Sequence, residues 1–320
     1  MSSVAVNAAS EAFEMLKHRL ISAAILLSLL SGSLLLKDLP GQLLFLAFAT
    51  LLVVKGSREF LNMSSLIYSK GYTWIAGLCA ILPVYGAFFE NFYGRKNLSF
   101  AGFAATISFL LIGGFSKVLR EPDLKNGLMK MTATLACFTY LVIPTWFLAM
   151  VYFGCGLNIS GDERKLTFFI IAVTKASDVG AYFVGMTSNK LLPGGNHKIA
   201  PRLSPGKSWE GFFGGIAFSI GVAFLFLQLS EGRLGSCILE FHNGVGRGLN
   251  AWDCIIVGSV CAILGFIGDV SESVMKRVSG LKDSGSILPG MGGVLDVLDS
   301  LILVSPLFYA YLWFRLPIVS

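Results

Sequence analysis

Charged residues are scarce in this sequence. Only 14 % of its 320 residues are Asp, Glu, Lys or Arg, whereas 54 % are hydrophobic. A soluble domain carries about 25 % charged residues, because it needs them to cover its surface. The shortage of charge therefore excludes an ordinary soluble protein and predicts an all-α, polytopic integral membrane protein.

Histidine is rare as well, and the cysteines are not arranged in pairs. The three histidines lie far apart, at positions 18, 197 and 242, and the six cysteines form no C-x-x-C motif. A zinc site requires clustered His and Cys ligands, so none is predicted. The cysteines mostly lie within apolar runs, and we interpret them as small buried hydrophobic side chains.

Nine apolar runs are candidates for membrane-spanning helices, since about 20 apolar residues cross the hydrocarbon core of a bilayer. They are residues 20–36, 41–54, 72–89, 98–115, 132–154, 166–187, 209–228, 251–268 and 294–314. The second run is short, so we expect eight to nine transmembrane helices. We divide the chain into an N-terminal transmembrane region, 1–155, and a C-terminal one, 156–320, which holds two polar motif loops, 188–208 and 268–293.

The cations are distributed unevenly between the two sides that alternating spans define. With the N-terminus in the cytoplasm, about twice as many Lys and Arg residues lie in cytoplasmic segments as in outer segments. This bias predicts an N-in orientation and places both motif loops on the cytoplasmic side. It also accounts for the net charge of +6, so no nucleic-acid partner is expected.

Two aspartates lie at the start of the last apolar run. Asp296 and Asp299 are three residues apart, so a helix places them on one face. Adjacent carboxylates need a proton, an arginine or a metal between them, and as hard oxygen ligands they suit Mg²⁺. The preceding glycines, Gly290, Gly292 and Gly293, are typical of a loop whose N–H groups hold phosphate at a helix N-terminus. Together these features predict a metal–phosphate site.

Acids and cations are interleaved between the last two apolar runs. Asp269 lies at the end of the first of these runs. The stretch after it carries the remaining polar candidates, which are Ser273, Lys276, Arg277, Lys282 and Asp283. Carboxylates that hold a metal, together with cations that hold phosphate, are typical of a phosphoryl- or nucleotidyl-transfer site.

A second group of polar candidates lies in and before the other motif loop. The loop offers two cations and two hydroxyl groups, namely Lys198, Lys207, Ser204 and Ser208. Asp178 lies three residues after Lys175 within the sixth apolar run, where ionisable residues are costly and usually functional. These last two side chains either neutralise each other or line a polar cavity.

Three stretches of the chain resemble the signature motifs of the phosphatidate cytidylyltransferases, also called CDP-diacylglycerol synthases. The longest is SVMKRVSGLKDSGSILPGMGGVLDVLDS (273–300). The stretches APRLSPGKSWEG and SDVGAYFVG are similar to two further motifs, the latter including Asp178 and Tyr182. The likeness covers about residues 170–300. At three positions the family usually has a basic residue and this chain does not: Met186, Met291 and Val297.

The resemblance implies an integral membrane enzyme that is a homodimer and uses CTP and Mg²⁺, with 156–320 as its catalytic region. It assigns one or two Mg²⁺ ions to Asp269, Asp296 and Asp299. We further expect catalytic roles for Lys276, Arg277, Lys282 and Asp283. The expected substrate-binding residues are Asp178, Tyr182, Lys198, Ser204, Lys207, Ser208, Ser273, Gly290, Gly292 and Gly293. We place the protein in a bacterial cytoplasmic (inner) membrane, with its active site facing the cytoplasm.

The expected reaction is cytidylyl transfer from CTP to phosphatidate, which gives CDP-diacylglycerol and pyrophosphate by in-line attack at the α-phosphorus. An alternative is a CTP-dependent polyprenol or phytol kinase, whose products would be a phospholipid and CDP. A transporter is a weaker alternative, because it predicts charge near the span centres and an inverted repeat. An inactive relative is a further alternative, suggested by the three missing basic residues.

Overall fold

Helices dominate the chain. The structure is a computed structural model that describes residues 3–36, 38–157, 163–201, 203–231 and 250–315. Over these residues it contains nine long helices and one two-stranded antiparallel hairpin. They are α1 (Ser3–Leu35), α2 (Asp38–Ile67), α3 (Thr73–Tyr93), α4 (Leu98–Val118), α5 (Leu124–Phe153), α6 (Arg164–Leu191), β1 (Lys198–Ala200), β2 (Ser204–Ser208), α7 (Trp209–Glu231), α8 (Ala251–Val278) and α9 (Leu295–Arg315).

Eight of the described helices, α2 to α9, are long and apolar enough to cross a membrane. Helix α1 contributes a shorter apolar stretch, Leu20–Leu35. The predicted all-α, polytopic fold with eight to nine spans is therefore confirmed.

Two predicted span boundaries differ from the observed helices. The short second run, 41–54, lies in the N-terminal part of α2, which has 30 residues and continues to Ile67. Helix α8 continues past residue 268 to Val278, so the connection between α8 and α9 begins only after it. Lys276 pairs with Glu272 one turn earlier, which stabilises the polar last turns. Gly280, with a φ of 71°, then allows the chain to leave the helix.

Four connections lie at one end of the helix bundle, which we call the motif end: residues 68–72, 119–123, 192–208 and 279–294. Contacts between these connections and the helix ends beside them place three of the connections near one another. The Ser279 hydroxyl oxygen lies 3.4 Å from the carbonyl oxygen of Met63, near the end of α2. The guanidinium group of Arg277 donates to the Leu203 carbonyl at 3.5 Å. Both motif loops thus lie at the same end, and the orientation of that end towards the cytoplasm stays a prediction.

Small residues allow the C-terminal helices to approach closely. A Cβ atom at Gly215 of α7 would lie 2.9 Å from the Ser177 carbonyl oxygen of α6. A Cβ atom at Gly258 of α8 would lie 2.8 Å from the Ile220 Cα of α7. Lipid offers no hydrophobic driving force between helices, so their association depends on such close backbone contact. The glycines of α7 and α8 therefore permit the close packing of the helices that flank the motif loops.

Two apolar clusters form the core of the bundle. One contains Phe45 of α2, which stacks on Tyr152 with ring centroids 3.6 Å apart. The other lies nearer the motif end and joins Leu61 and Leu141 to Leu295. Each cluster draws residues from both sides of position 155, and the division of the chain at that position stays a prediction.

The cysteines are packing residues in the described part of the chain. Cys79, Cys137, Cys155, Cys254 and Cys261 are all buried and carry free thiols. This confirms their interpretation as small buried side chains for these five positions. Cys237 lies outside the described residues.

We predict opposite effects for two glycine-to-alanine substitutions. In Gly258→Ala the new methyl group meets the backbone of α7, so α7 and α8 must separate and the melting temperature in detergent should fall. Gly221→Ala is the control, because a Cβ atom there has no atom within 4 Å. Alanine favours a helix over glycine by up to about 1 kcal/mol, so the control should melt at the same temperature or higher. Equal melting temperatures in the two variants would contradict the close α7–α8 contact.

Candidate active site at the motif end

Three carboxylates converge between α8 and α9. One oxygen each from Asp269, Glu272 and Asp299 lies within 4.8 Å of the others. Glu272 is completely buried, and Asp299 is 9 % exposed. Like charges repel in a medium of low dielectric constant, so this group requires cations around it. We call it the carboxylate cluster.

The carboxylate cluster exists because α8 and α9 touch. A Cβ atom at Gly268 would collide with the backbone carbonyl of Asp299. Glycine at this position therefore brings Asp269, the next residue, up to Asp299. Glu272 joins them because it lies three residues after Asp269 on the same face of α8.

One lysine faces Asp269 from the hairpin. The Lys207 ammonium lies 2.9 Å from the Asp269 carboxylate and 4.9 Å from the centre of the Phe266 ring. The hairpin is fixed by Glu210 at the start of α7, which accepts the His197 backbone N–H at 3.1 Å. Strand β2 can then carry Lys207 into the bundle, where its side chain is 13 % exposed.

A second lysine bridges α6 and α9. The Lys175 ammonium lies 3.2 Å from the Asp178 carboxylate and 3.8 Å from that of Asp299. It also donates to the Ser300 hydroxyl at 2.7 Å. Of the two possibilities that the sequence left open, the pairing of Lys175 with Asp178 is observed, and Asp178 alone of the two also lines a cavity.

A third lysine joins the carboxylate cluster to Asp296. The Lys276 ammonium lies 2.9 Å from Glu272 and 2.6 Å from Asp296. The other oxygen of Asp296 accepts the Ser284 N–H at 2.9 Å, the Ser284 hydroxyl at 2.8 Å and the Gly293 N–H at 2.7 Å. Both Asp296 oxygens are thus engaged by protein donors, and the metal role expected for this residue stays a prediction.

Glu59 of α2 lies beneath the connection between α8 and α9, residues 279–294, which we call the glycine-rich connection. It is 5 % exposed, and one of its oxygens accepts the Leu295 N–H at 3.1 Å and lies 3.3 Å from the Ser284 hydroxyl oxygen. A Cβ atom at Gly285 or Gly293 would lie 2.5 Å from its carboxylate oxygens. A side chain at either position would therefore displace this buried carboxylate. No sequence signal links Glu59 to residues 225 positions away.

Hydrogen bonds within the glycine-rich connection, and from it to Asp296, hold it in this conformation. Gly290 and Gly292 have positive φ values of 75° and 92°. The Gly292 N–H donates to the Leu288 carbonyl at 3.1 Å, and that of Gly293 donates to Asp296. The N–H groups of Gly292 and Gly293 thus already have acceptors within the protein. The phosphate-holding role of this segment stays a prediction.

Two cavities adjoin this network. A cavity of about 300 Å³ is lined by seven predicted site residues, which are Asp178, Tyr182, Ser204, Lys207, Ser208, Asp269 and Asp299. We call it the lysine cavity. A cavity of about 620 Å³ lies beside α1 and is lined by four others, Lys282, Asp283, Gly290 and Gly292. We call it the loop cavity.

Six predicted site residues line neither of these two cavities: Lys198, Ser273, Lys276, Arg277, Gly293 and Asp296. Lys276, Gly293 and Asp296 belong to the hydrogen-bond network described above. Arg277 donates to the carbonyls of Leu203 and Leu281. It therefore links the two motif loops.

Two acidic side chains, Glu272 and Glu59, take part in the site without having been predicted. Glu272 carried a usable signal, because it is three residues from Asp269 on one helix face. Glu59 carried none. Of the three positions that lack the family's basic residue, Met291 lines the loop cavity, Met186 is 41 % exposed, and Val297 is half-buried on α9.

Comparison with known proteins gives consistent matches. Residues 17–315 match the family described as the cytidylyltransferase family. A protein named phosphatidate cytidylyltransferase from Pseudomonas aeruginosa is 30 % identical over 93 % of this chain and 97 % of its own length. One of the same name from Staphylococcus epidermidis is 32 % identical over 84 % and 90 %. Another, from Haemophilus influenzae, is 38 % identical over 47 % of this chain and 46 % of its own.

We predict that Lys276→Met strongly destabilises the protein. The substitution leaves Glu272 and Asp296, whose side chains are 0 % and 11 % exposed, without their shared cation. Breaking a buried pair in this way costs on the order of 3 kcal/mol or more, so the melting temperature in detergent should fall sharply. Adding Glu272→Gln should restore part of the loss, since it removes one of the two uncompensated charges.

Lys130→Met is the matched control for this prediction. Lys130 pairs with Glu121 at 2.9 Å, but both side chains are more exposed, at 27 % and 22 %. Exposed pairs contribute about 1 kcal/mol or less. Equal losses in Lys276→Met and Lys130→Met would show that the buried network does not stabilise the fold.

Proposed function

The chain belongs to the cytidylyltransferase family, and we propose that it transfers the cytidylyl group of CTP to phosphatidate in a bacterial inner membrane. The products would be CDP-diacylglycerol and pyrophosphate. The observation that carries this proposal is the similarity to phosphatidate cytidylyltransferases over nearly the whole chain. Eight spanning helices with a lysine–carboxylate site at one end support it.

The carboxylate cluster fits a divalent cation. Carboxylate oxygens are hard ligands of the kind Mg²⁺ prefers. One oxygen of Glu272 is buried and accepts no hydrogen bond from the described residues. A buried anionic oxygen without a donor is costly unless a cation compensates it. We therefore propose Asp269, Glu272 and Asp299 as the residues that hold one or two Mg²⁺ ions.

Asp296 has a different proposed role. It positions the glycine-rich connection through Ser284 and Gly293, and it joins the metal-binding residues only if Lys276 and these donors release it. When bound, Mg²⁺ would neutralise negative charge on the phosphoryl oxygens of the reacting groups.

The chain's own residues would orient the two phosphates. Lys207 and Lys175 supply cations beside the carboxylate cluster, and Lys282 supplies one in the loop cavity. The Ser204 and Ser208 side chains offer hydroxyl donors in the lysine cavity. Charge-assisted hydrogen bonds of this kind are among the stronger ones in proteins.

The proposed step is an in-line displacement. A phosphate oxygen of phosphatidate forms a bond to the α-phosphorus of CTP, and the bond from that phosphorus to the β-bridging oxygen breaks. Pyrophosphate carries away the electron pair. Phosphatidate is already an anion at neutral pH, so the step needs no general base. The homodimeric state and the N-in orientation are further parts of this proposal.

A radiometric assay tests the reaction. Purified protein in detergent–lipid micelles would receive phosphatidate, Mg²⁺ and CTP labelled in the α-phosphate. We expect label in the lipid phase and release of pyrophosphate. A parallel assay would supply a polyprenol or phytol with CTP labelled in the γ-phosphate. Label that enters the lipid there, with none entering phosphatidate from the α-phosphate, would overturn the proposal in favour of a kinase.

A second prediction tests the carboxylate cluster. Asp269→Asn and Asp299→Asn should each lower turnover by about a hundredfold or more, because metal-ion charge stabilisation contributes several kcal/mol. Residual activity should require a higher Mg²⁺ concentration for half-maximal rate. The control is Asp123→Asn at the start of α5, where the side chain accepts the Lys125 N–H and asparagine is an equally good cap. Full activity in Asp269→Asn would contradict the metal role.

A further inference from the structure

The largest of the described cavities lies away from the carboxylate cluster. It has a volume of about 910 Å³ and lies at the motif end between α2, α3 and the start of α5. Its charged lining residues are Arg58, Lys70, Glu121 and Lys130. We call it the N-terminal groove. Cytidylyl transfer as proposed above makes no use of it.

Two cations in the N-terminal groove have no acidic partner. Lys130 already pairs with Glu121 at 2.9 Å. Arg58 and Lys70 are exposed, and within the described ranges no carboxylate lies at ion-pair distance from either. The groove therefore presents an excess of two positive charges, which an anionic group would complement.

The connection that carries Lys70 is held in place. The next residues, Gly71 and Tyr72, are buried, and the Tyr72 N–H donates to the Thr134 hydroxyl oxygen at 2.9 Å. A Cβ atom at Gly71 would lie 2.7 Å from that same oxygen. The backbone next to Lys70 is thus held in place by its contacts with Thr134 of α5.

The other side of the N-terminal groove is apolar and open. Trp74 is 52 % exposed and Leu78 is 45 % exposed. Gly77 between them has no atom within 4 Å of a Cβ position, so nothing fills the space above it. Lys117 lies with its ammonium 5.5 Å from the centre of the Trp74 ring. Tryptophan and lysine in this arrangement are typical of the membrane–water interface.

We propose that the N-terminal groove binds the headgroup of an anionic phospholipid from the surrounding membrane. Arg58 and Lys70 would contact the phosphate, while the acyl chains lie along Trp74, Leu78 and Ile81. Cations near an anionic leaflet attract such lipids, and the apolar lining favours a lipid over free phosphate. This site is separate from the one that would act on phosphatidate.

The N-terminal groove is connected to the active site through α2. Arg58, which lines the groove, precedes Glu59, which holds Ser284 and the start of α9. A lipid bound at Arg58 would therefore lie against the turn of α2 that supports the glycine-rich connection.

Tryptophan quenching tests the proposal without measuring activity. The full-length protein in neutral detergent would be titrated with phosphatidylglycerol carrying brominated acyl chains, and separately with brominated phosphatidylcholine. The difference between wild type and Trp74→Phe isolates the quenching of Trp74. We expect the phosphatidylglycerol to quench Trp74 at much lower concentration than the phosphatidylcholine does.

Two charge variants locate the site. Arg58→Gln with Lys70→Gln should weaken the apparent affinity for phosphatidylglycerol by about tenfold or more, because both cations near the lipid phosphate are lost. Arg95→Gln with Lys96→Gln removes two exposed cations from the opposite end of the bundle and should leave the affinity unchanged. Arg58→Lys with Lys70→Arg keeps the charge and should retain binding.

Three results would overturn the proposal. The first is equal quenching by the two lipids, and the second is equal loss of affinity in the two glutamine double variants. The third is complete displacement of the brominated phosphatidylglycerol by millimolar glycerol phosphate, which would identify a site for soluble phosphates. None of these results depends on catalysis, so the inference can fail while the proposed function stands.

Discussion

Pairing of charge at the edge of an apolar bundle is the constraint on which this structure depends. Five carboxylates and three lysines meet at the motif end: Asp178, Asp269, Glu272, Asp296 and Asp299 with Lys175, Lys207 and Lys276. An isolated charge in such surroundings costs several kcal/mol, whereas a paired and hydrogen-bonded one is tolerated. The lysines come from α6, the hairpin and α8, so satisfying the acids also ties these elements together.

Close helix contact makes the network possible. Glycines at positions 258 and 268 let α8 lie against α7 and α9, and only then do Asp269 and Asp299 come within reach of each other. A side chain at position 268 would push the backbone of Asp299 away and so separate Asp269 from Asp299. The same geometry leaves one Glu272 oxygen without a donor among the residues described. The packing that stabilises the bundle thus also assembles the acidic cluster that we propose as a cation site.

The N-terminal helices take part in the site although they carry none of its signature motifs. Glu59 of α2 holds Ser284 and the first residue of α9, and Ser22 of α1 donates to the Pro289 carbonyl at 3.0 Å. The glycine-rich connection is therefore held from below by α2 and from the side by α1. This explains why the apolar N-terminal region is needed around a site whose polar residues lie in the C-terminal region.

Much of this could be predicted from the sequence, because it depends on local chemistry. Scarce charge and long apolar runs determined an all-α membrane protein. The spacing of Asp296 and Asp299, the glycines and the interleaved cations indicated the end that carries the candidate site. Tertiary structure alone decided which groups meet. It brought Asp299 of α9 to Asp269 and Glu272 of α8, turned Asp296 towards Lys276 and Ser284, and placed Glu59 beneath residues more than 200 positions away. Periodicity places residues on a helix face, but only the packing of one helix against another determines what that face touches.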